Sequence, residues 1–243
     1  MRIYRIHSPF LLSQTEIILN KESSHHLANV LRCREGDICH VFDGVGNEVK
    51  TKILQVNKSN MPLQVLEFIE NKVESPLKIH LFQGLCKGDK MDVIIQKSIE
   101  LGVAEITPLI TERCDVKLSN ERLEKRMRHW QNIIINATEQ SGRAVLAKLN
   151  EPVSLHAALQ QPTSYLRLLF TPHAAKNLAD IHAPAHNNVA IFIGPEGGFS
   201  DSETMQAIDQ GVEAIVLGKR ILRTETAPIG IIASLQTLWG DFK

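Results

Sequence analysis

The chain has 243 residues, 43% apolar and 22% charged, ordinary values for a globular protein and enough chain for more than one core. Its 27 basic residues balance 27 acidic ones, so no whole-molecule field steers it to nucleic acid, and any such binding has to be local. No apolar run approaches the ~20 residues of a membrane helix, and Met1-Arg2-Ile3-Tyr4-Arg5 lacks a signal-peptide core, so a cytoplasmic location is expected.

Up to about residue 70, short β-like runs at 2–6, 16–19, 37–42, 48–56 and 63–68 alternate with turns, the pattern of a small barrel. One helix, 24–31, interrupts it with Leu27, Val30 and Leu31 on its apolar face. Asp43-Gly44-Val45-Gly46-Asn47 supplies hairpin chemistry. The polar stretch 70–76 ends in Pro76, so a boundary is expected there, dividing the chain into domains 1–72 and 73–243. Cys33, Cys39, Cys86 and Cys114 form no C-x-x-C pair and the ten histidines have no metal spacing. Reduced structural thiols and no metal are expected.

From Leu77 onward strands alternate with helices, the signature of a mostly parallel sheet covered on both faces. Strands are predicted at 77–81 and 104–109, separated by a helix over 90–101 with Met91, Ile94, Ile95, Ser98 and Leu101 inward. Lys90 and Lys97 share its other side, with Lys87 just upstream. A solvated lysine face accounts for them as well as an RNA contact does. A longer helix, 120–139, carries Leu123, Met127, Trp130, Ile133, Ile134 and Ala137 at helical spacing and leads into a polar loop, Glu139-Gln140-Ser141-Gly142-Arg143.

A strand over 164–171 ends in Thr171-Pro172-His173, where His173 reads first as a turn residue. The run Val189 to Ile193 reads as a buried strand that stops at Gly194-Pro195-Glu196-Gly197-Gly198-Phe199. Ser200-Asp201-Ser202-Glu203 has capping-box spacing, so a helix starts at once. Strand, glycine turn and capped helix together make a backbone cup at the carboxyl end of a strand, the usual ligand position in an α/β sheet. A further strand, 214–217, closes with Gly218 and leads into Lys219-Arg220-Ile221-Leu222-Arg223-Thr224-Glu225-Thr226. The last helix starts near Thr226, with Pro228 in its first turn, and is apolar nearly all round.

Phosphate fits the cup poorly. There is no G-x-G-x-x-G, Gly218-Lys219 does not complete a Walker loop, and Glu196 would repel an anion held by the turn amides. Adenosine read by backbone groups, with a cationic sulfonium nearby, suits it better. Ile221 and Leu222 could cover the adenine, although a plain surface loop with its arginines paired to Glu225 or Glu213 remains an even alternative.

The 193–200 segment together with Leu217-Gly218-Lys219-Arg220-Ile221-Leu222-Arg223-Thr224-Glu225-Thr226-Ala227 resembles the signature of the ribosomal RNA small subunit methyltransferase E family, in the SPOUT superfamily. Gln96-Lys97-Ser98-Ile99-Glu100-Leu101-Gly102-Val103, the 139–143 loop, and His26 with Val30-Leu31-Arg32 match as well, so the resemblance runs over essentially the whole chain. One departure is Ala144-Val145-Leu146-Ala147, where family members often have a Val-Pro pair.

The resemblance implies an N-terminal PUA-like barrel that binds RNA, a trefoil-knotted α/β methyltransferase domain holding S-adenosylmethionine, and a homodimer. The reaction it implies is methylation of uridine N3 in 16S ribosomal RNA, on the assembled small subunit. The cofactor site expected from it comprises Leu169, Thr171, Ile193, Gly194, Pro195, Gly197, Gly198, Leu217, Gly218, Ile221, Leu222 and Thr224. Arg223 is expected to stabilise charge developing on the uracil. Glu196 is a candidate for proton removal, set against a role in holding the turn. For RNA, the expected cations are Arg2, Arg5, Arg32, Lys87, Lys90, Lys97 and Arg143. Two other readings stay open: a non-enzymatic RNA-binding module, and a related knotted methyltransferase acting on ribose or another base.

Overall fold

The computed structural model describes residues 4–9, 14–114, 120–161 and 164–242. The chain divides into two compact units, Met1–Glu74 with Ile135–Leu146, and Ser75–Ile134 with Ala147–Lys243. The segment 135–146, which the sequence places in the second domain, therefore groups with the first.

The first unit contains β1 (Tyr4–His7), β2 (Glu16–Ile18), α1 (Lys21–His25), β3 (Ile38–Phe42), β4 (Glu48–Ile53) and β5 (Pro62–Ile69). The strands form one sheet in the order β1-β3-β4-β5-β2, curled into a half-barrel, with β1 parallel to β3 and the other pairs antiparallel. Leu27, Val41, Val49, Ile53, Met61 and Leu63 are fully buried in its core. The helix begins earlier than predicted because Asn20 caps it, accepting from the Ser23 N–H at 2.9 Å. It then widens into a π-turn over His26–Val30, closed by the Leu31 N–H on the His26 carbonyl at 3.0 Å.

Arg5 ties the return segment into this unit. Its guanidinium donates to both oxygens of Glu48, at 3.0 and 2.9 Å, and to the carbonyls of Thr138, Glu139 and Arg143 at 3.2, 3.3 and 2.9 Å. Glu48, 3% exposed, also accepts from Asn71 Nδ2 at 2.6 Å and contacts His40 Nδ1 at 3.0 Å. Burial alone would raise the Glu48 carboxyl; the bonds from Arg5 and Asn71 outweigh it and hold the group below its ordinary range. Arg143 is likewise buried and pairs with Glu74 at 2.8 Å. The chain then runs along the 43–47 hairpin, where Gly46 N–H meets the Ala144 carbonyl at 3.1 Å and Leu146 N–H the Gly44 carbonyl at 2.9 Å. These bonds fix the path of the stretch that departs from the family pattern.

The second unit contains β6 (Lys78–Gly84), α2 (Lys90–Glu100), β7 (Glu105–Ile110), the start of α3 (Asn120–Ser141), β8 (Lys148–Leu149), β9 (Val153–Ser154), α4 (Leu155–Leu159), β10 (Leu166–Phe170), β11 (Lys176–Asn177), β12 (Asn188–Ile193), α5 (Asp201–Asp209), β13 (Glu213–Val216) and α6 (Ala227–Trp239). Its sheet has the order β11-β13-β10-β12-β6-β7-β8, with β9 also on β7, and every pairing is parallel. Residues 189–193 of β12 and 79–84 of β6 are buried without interruption, so both faces are covered and alternation disappears from the sequence. α2 packs on α6, turning Met91, Ile94, Ile95, Ser98 and Ile99 inward, while Leu101 serves as its C-cap. α6 buries Ile231, Ile232 and Leu235 but leaves Leu238 47% exposed, so one flank of this apolar helix is open. No helix among the described residues is long and apolar enough to cross a membrane.

Two outcomes follow for the first unit. Arg5→Ala strands a buried carboxylate and should cost about 3–5 kcal/mol in denaturant unfolding, with loss of amide protection over 135–146. Burial also pushes the Glu139 carboxyl up to about 7, against partial relief from the His7 N–H and Arg5. That folded value lies above the unfolded ~4.3, so its contribution to stability is complete below about pH 4 and is lost as pH rises through the folded value. Glu139→Gln should remove this slope from a pH series of urea melts; an unchanged slope would assign it to another group.

Candidate functional site

The carboxyl ends of β10, β12 and β13 open onto one cavity of about 1230 Å³ in the second unit, joined by Lys90 and Arg113. Its frame is the turn after β12. Gly194 sits where a Cβ would lie 2.9 Å from the backbone of Gly198, so only glycine lets the turn fold back on itself. The turn closes through the Gly198 N–H on the Pro195 carbonyl at 2.9 Å, and Gly198 takes φ +66°. α5 then starts with the expected capping box: Ser200 Oγ accepts the Glu203 N–H at 3.0 Å and Glu203 accepts the Ser200 N–H at 2.9 Å. The other Glu203 oxygen accepts the Glu112 N–H at 2.9 Å, fastening the loop after β7 to the helix.

Beneath the cavity, Gln83 at the end of β6 is fully buried. Its Nε2 donates to the Gly84 and Gly194 carbonyls at 3.1 and 3.4 Å and to Thr224 Oγ1 at 3.2 Å. The Thr224 hydroxyl in turn donates to the Gly194 carbonyl at 2.8 Å. Gly84 has no room for a side chain, since a Cβ there would lie 2.4 Å from the Pro195 nitrogen. Three segments distant in sequence thus meet at one point. Cys86 lies beside them, donating to the Gly84 carbonyl, and burial pushes its thiol up to about 11, which removes it as a thiolate nucleophile at neutral pH.

Charge in the wall is arranged around Lys90. Its ammonium lies 2.9 Å from Glu196 Oε1 and 3.9 Å from Glu225 Oε2. Glu196 also accepts the Lys87 N–H at 3.1 Å. Desolvation would raise the Glu196 carboxyl, but the bonds from Lys90 and from the Glu196 and Lys87 amides prevail and hold it below its ordinary range. A carboxyl held low and already accepting from Lys90 and the Lys87 N–H is a weak proton acceptor. Glu225 Oε2 is buried and accepts no hydrogen bond from the described residues. The alternative pairing of Glu225 and Glu213 with the loop arginines does not occur: Glu213 pairs with Lys176 at 2.8 Å, and Arg220 and Arg223 form no ion pair among the described residues.

All the residues expected to hold a cofactor line this cavity except Leu169 and Gly218, and Arg223 and Glu196 line it too. Leu169 is 1% exposed in the core, next to Phe170 of the wall, and Gly218, at φ +67°, follows Leu217 of the wall. The cations expected to meet RNA are scattered. Arg2 lies outside the described residues. Arg5 and Arg143 lie within the first unit, paired with Glu48 and Glu74. Arg32 is exposed with φ +55°, Lys87 is exposed, and Lys97 pairs with Glu100 at 2.8 Å away from the cavity. Lys90 belongs to the cavity wall. Sequence reasoning missed Gln83, Glu225 and Arg113. The one available signal was that Gln83 and Arg113 stand at or just past the carboxyl ends of predicted strands.

A family model described as an RNA methyltransferase domain matches residues 73–236, and one described as an RNA methyltransferase PUA domain matches 19–65. The ribosomal RNA small subunit methyltransferase E of Buchnera aphidicola from Schizaphis graminum is 35% identical, covering 99% of this chain and 98% of its own; that of Bacillus subtilis is 33% identical, covering 88% and 87%. Among solved structures, the Neisseria gonorrhoeae ribosomal RNA small subunit methyltransferase E bound to S-adenosylmethionine superposes with a TM-score of 0.93 at 40% identity over the full length of both chains. A Legionella pneumophila protein, described as a methyltransferase and solved with bound S-adenosylmethionine, gives 0.95 at 40% identity over the same extent. With the matched domains, the full-length relatives and the shared fold together, the chain belongs to the ribosomal RNA small subunit methyltransferase E family.

Proposed function

We propose that this protein methylates N3 of a uridine in small-subunit 16S ribosomal RNA, using S-adenosylmethionine held in the cavity at the ends of β10, β12 and β13. The observation that carries the reading is the joint wall made by the 194–199 turn and the 217–227 loop, latched by Gln83 and Thr224. Family membership supports the reaction class.

The residues present suit the cofactor. Ile193, Leu222 and Ile231 offer apolar contact for an adenine, and the glycine turn brings backbone donors and acceptors within reach of its edge. Glu225, with a buried carboxylate oxygen that accepts no hydrogen bond from the described residues, suits a cationic ligand group. When bound, S-adenosylmethionine supplies an electrophilic methyl on a positively charged sulfur.

Uracil N3 becomes nucleophilic only when its proton leaves, and negative charge then spreads over the two carbonyl oxygens. Arg223, exposed in the wall and without a competing carboxylate, is the group we assign to that charge. Glu196 keeps Lys90 and the turn in place. The first unit, with its match to a PUA domain, is assigned to RNA binding, with Arg32 as its exposed candidate. The family resemblance likewise supports a trefoil-knotted chain path, a homodimer, a cytoplasmic location and action on the assembled subunit.

Incubation with S-adenosylmethionine and small subunits lacking the modification should create a stop to reverse transcription at one uridine, because a methyl at N3 blocks pairing. Transfer without such a stop would favour ribose or another base, and calorimetry showing no cofactor binding would favour a non-enzymatic module. Arg223→Ala should lower kcat by roughly 10²–10³-fold, with cofactor affinity changed less than about threefold. Equal losses in both would remove the assigned role.

A further inference from the structure

Arg113 stands apart from the other basic residues because it is both exposed and fixed. It occupies the third position of a tight turn after β7, closed by the Cys114 N–H on the Thr111 carbonyl at 3.1 Å. The preceding residue, Glu112, is pinned through its N–H to Glu203, itself 5% exposed and committed to the cap of α5. The Arg113 side chain lies over Gly197, where any Cβ would come within 3.0 Å of Arg113 Cβ, and Nη1 donates to the Gly197 carbonyl at 3.1 Å. That single bond leaves most of the five guanidinium N–H donors uncommitted, and no ion pair engages Arg113 among the described residues.

Its location separates it from the floor of the cavity. The floor is made by buried groups such as Ile193, Gly194 and Thr224, whereas Arg113 and Gly197 are exposed at the rim. In the sheet, β7 lies to one side of β12 and β13 to the other, so Arg113 enters the rim from the flank opposite the strand that leads to Arg220 and Arg223. The acidic residues of the wall are engaged elsewhere: Glu196 and Glu225 at Lys90, Glu213 at Lys176, and Asp201 in the first turn of α5. A planar, rigidly mounted fork on the lip of a site, with the pair Arg220 and Arg223 on the opposite flank, suits the phosphates of a polymer laid over the mouth.

We propose that Arg113 binds a backbone phosphate of the RNA beside the target nucleotide. This rests on the RNA methyltransferase reading above. Such a contact positions the strand and carries no base information.

The test uses the full-length protein with cofactor present, comparing wild type, Arg113→Ala and Arg113→Lys in direct binding to small-subunit RNA across a salt series and in steady-state methyl transfer. Arg113→Ala should raise the RNA Kd and KM about tenfold and reduce the slope of log K against log salt by about one. Arg113→Lys should restore that slope while recovering only part of the affinity, since it keeps the charge but not the fork. Cofactor affinity by calorimetry and kcat at saturating RNA should stay within about twofold, and the thermal midpoint should not move. A parallel loss of cofactor affinity would overturn the proposal by placing Arg113 at the cofactor, and a fall in kcat with unchanged KM by placing it at the reacting base. An unchanged salt slope would overturn it outright. The binding arm needs no turnover, so absence of methyl transfer by the wild type would sink the reaction while leaving the Arg113 contact measurable.

Discussion

The buried amide of Gln83 joins three stretches of chain, the end of β6, the turn after β12 and the loop after β13, through Gly194 and Thr224. An amide withdrawn from water costs about 1–3 kcal/mol if left unpaired, so its Nε2 donor is compatible with the fold only while both loops stay in place. The glycines at 84 and 194 make the approach possible, because a single Cβ at either would press on the opposing backbone. The cavity wall is therefore set by the same contacts that close the core. Disturbing the latch should loosen floor and lip together.

Above this latch the charges fall into two kinds. Lys90 gathers Glu196 and Glu225, so that this part of the wall sets two acidic side chains against one ammonium. Arg220 and Arg223, which have no carboxylate partner among the described residues, together with Arg113 give the rim the opposite sign. A small cationic ligand group inside and a polyanion outside are served by different residues within the same opening. The chain reaches this separation with no net charge, consistent with an attraction that acts only at short range under physiological salt.

The order of strands and helices was legible because it rests on periodicity and on turn chemistry that act locally. The continuous apolar run of β12, the capping box at Ser200 and the proline opening α6 all signal themselves within a few residues. The glycine turns pointed to most of the cavity wall for the same reason. What stayed hidden depends on pairs far apart in sequence. Nothing near Arg5 announces that Glu48 and three carbonyls from 138–143 will engage it, so a half-buried, paired arginine and a solvated one read alike. Gln83 reads as an ordinary strand residue until the loops that cross it are known. The two-residue strands β8, β9 and β11 carry too little pattern to stand out from loops.

The return of 135–146 to the first unit bears on how the chain acquires its structure. The Arg5 guanidinium and the 43–47 hairpin find part of their partners only after about sixty intervening residues, which themselves belong to the other unit. A ribosome releasing this chain from the N-terminus would expose the half-barrel before its closing segment exists. Until then Glu48 must rely on Arg5, His40 and Asn71, and Arg5 lacks its carbonyl acceptors. Closing a loop of that length adds an entropic cost growing only logarithmically with its size, but it makes completion of the first unit a late, non-local event. A fragment ending at Glu74 would for the same reason be an unfinished barrel rather than an independent domain.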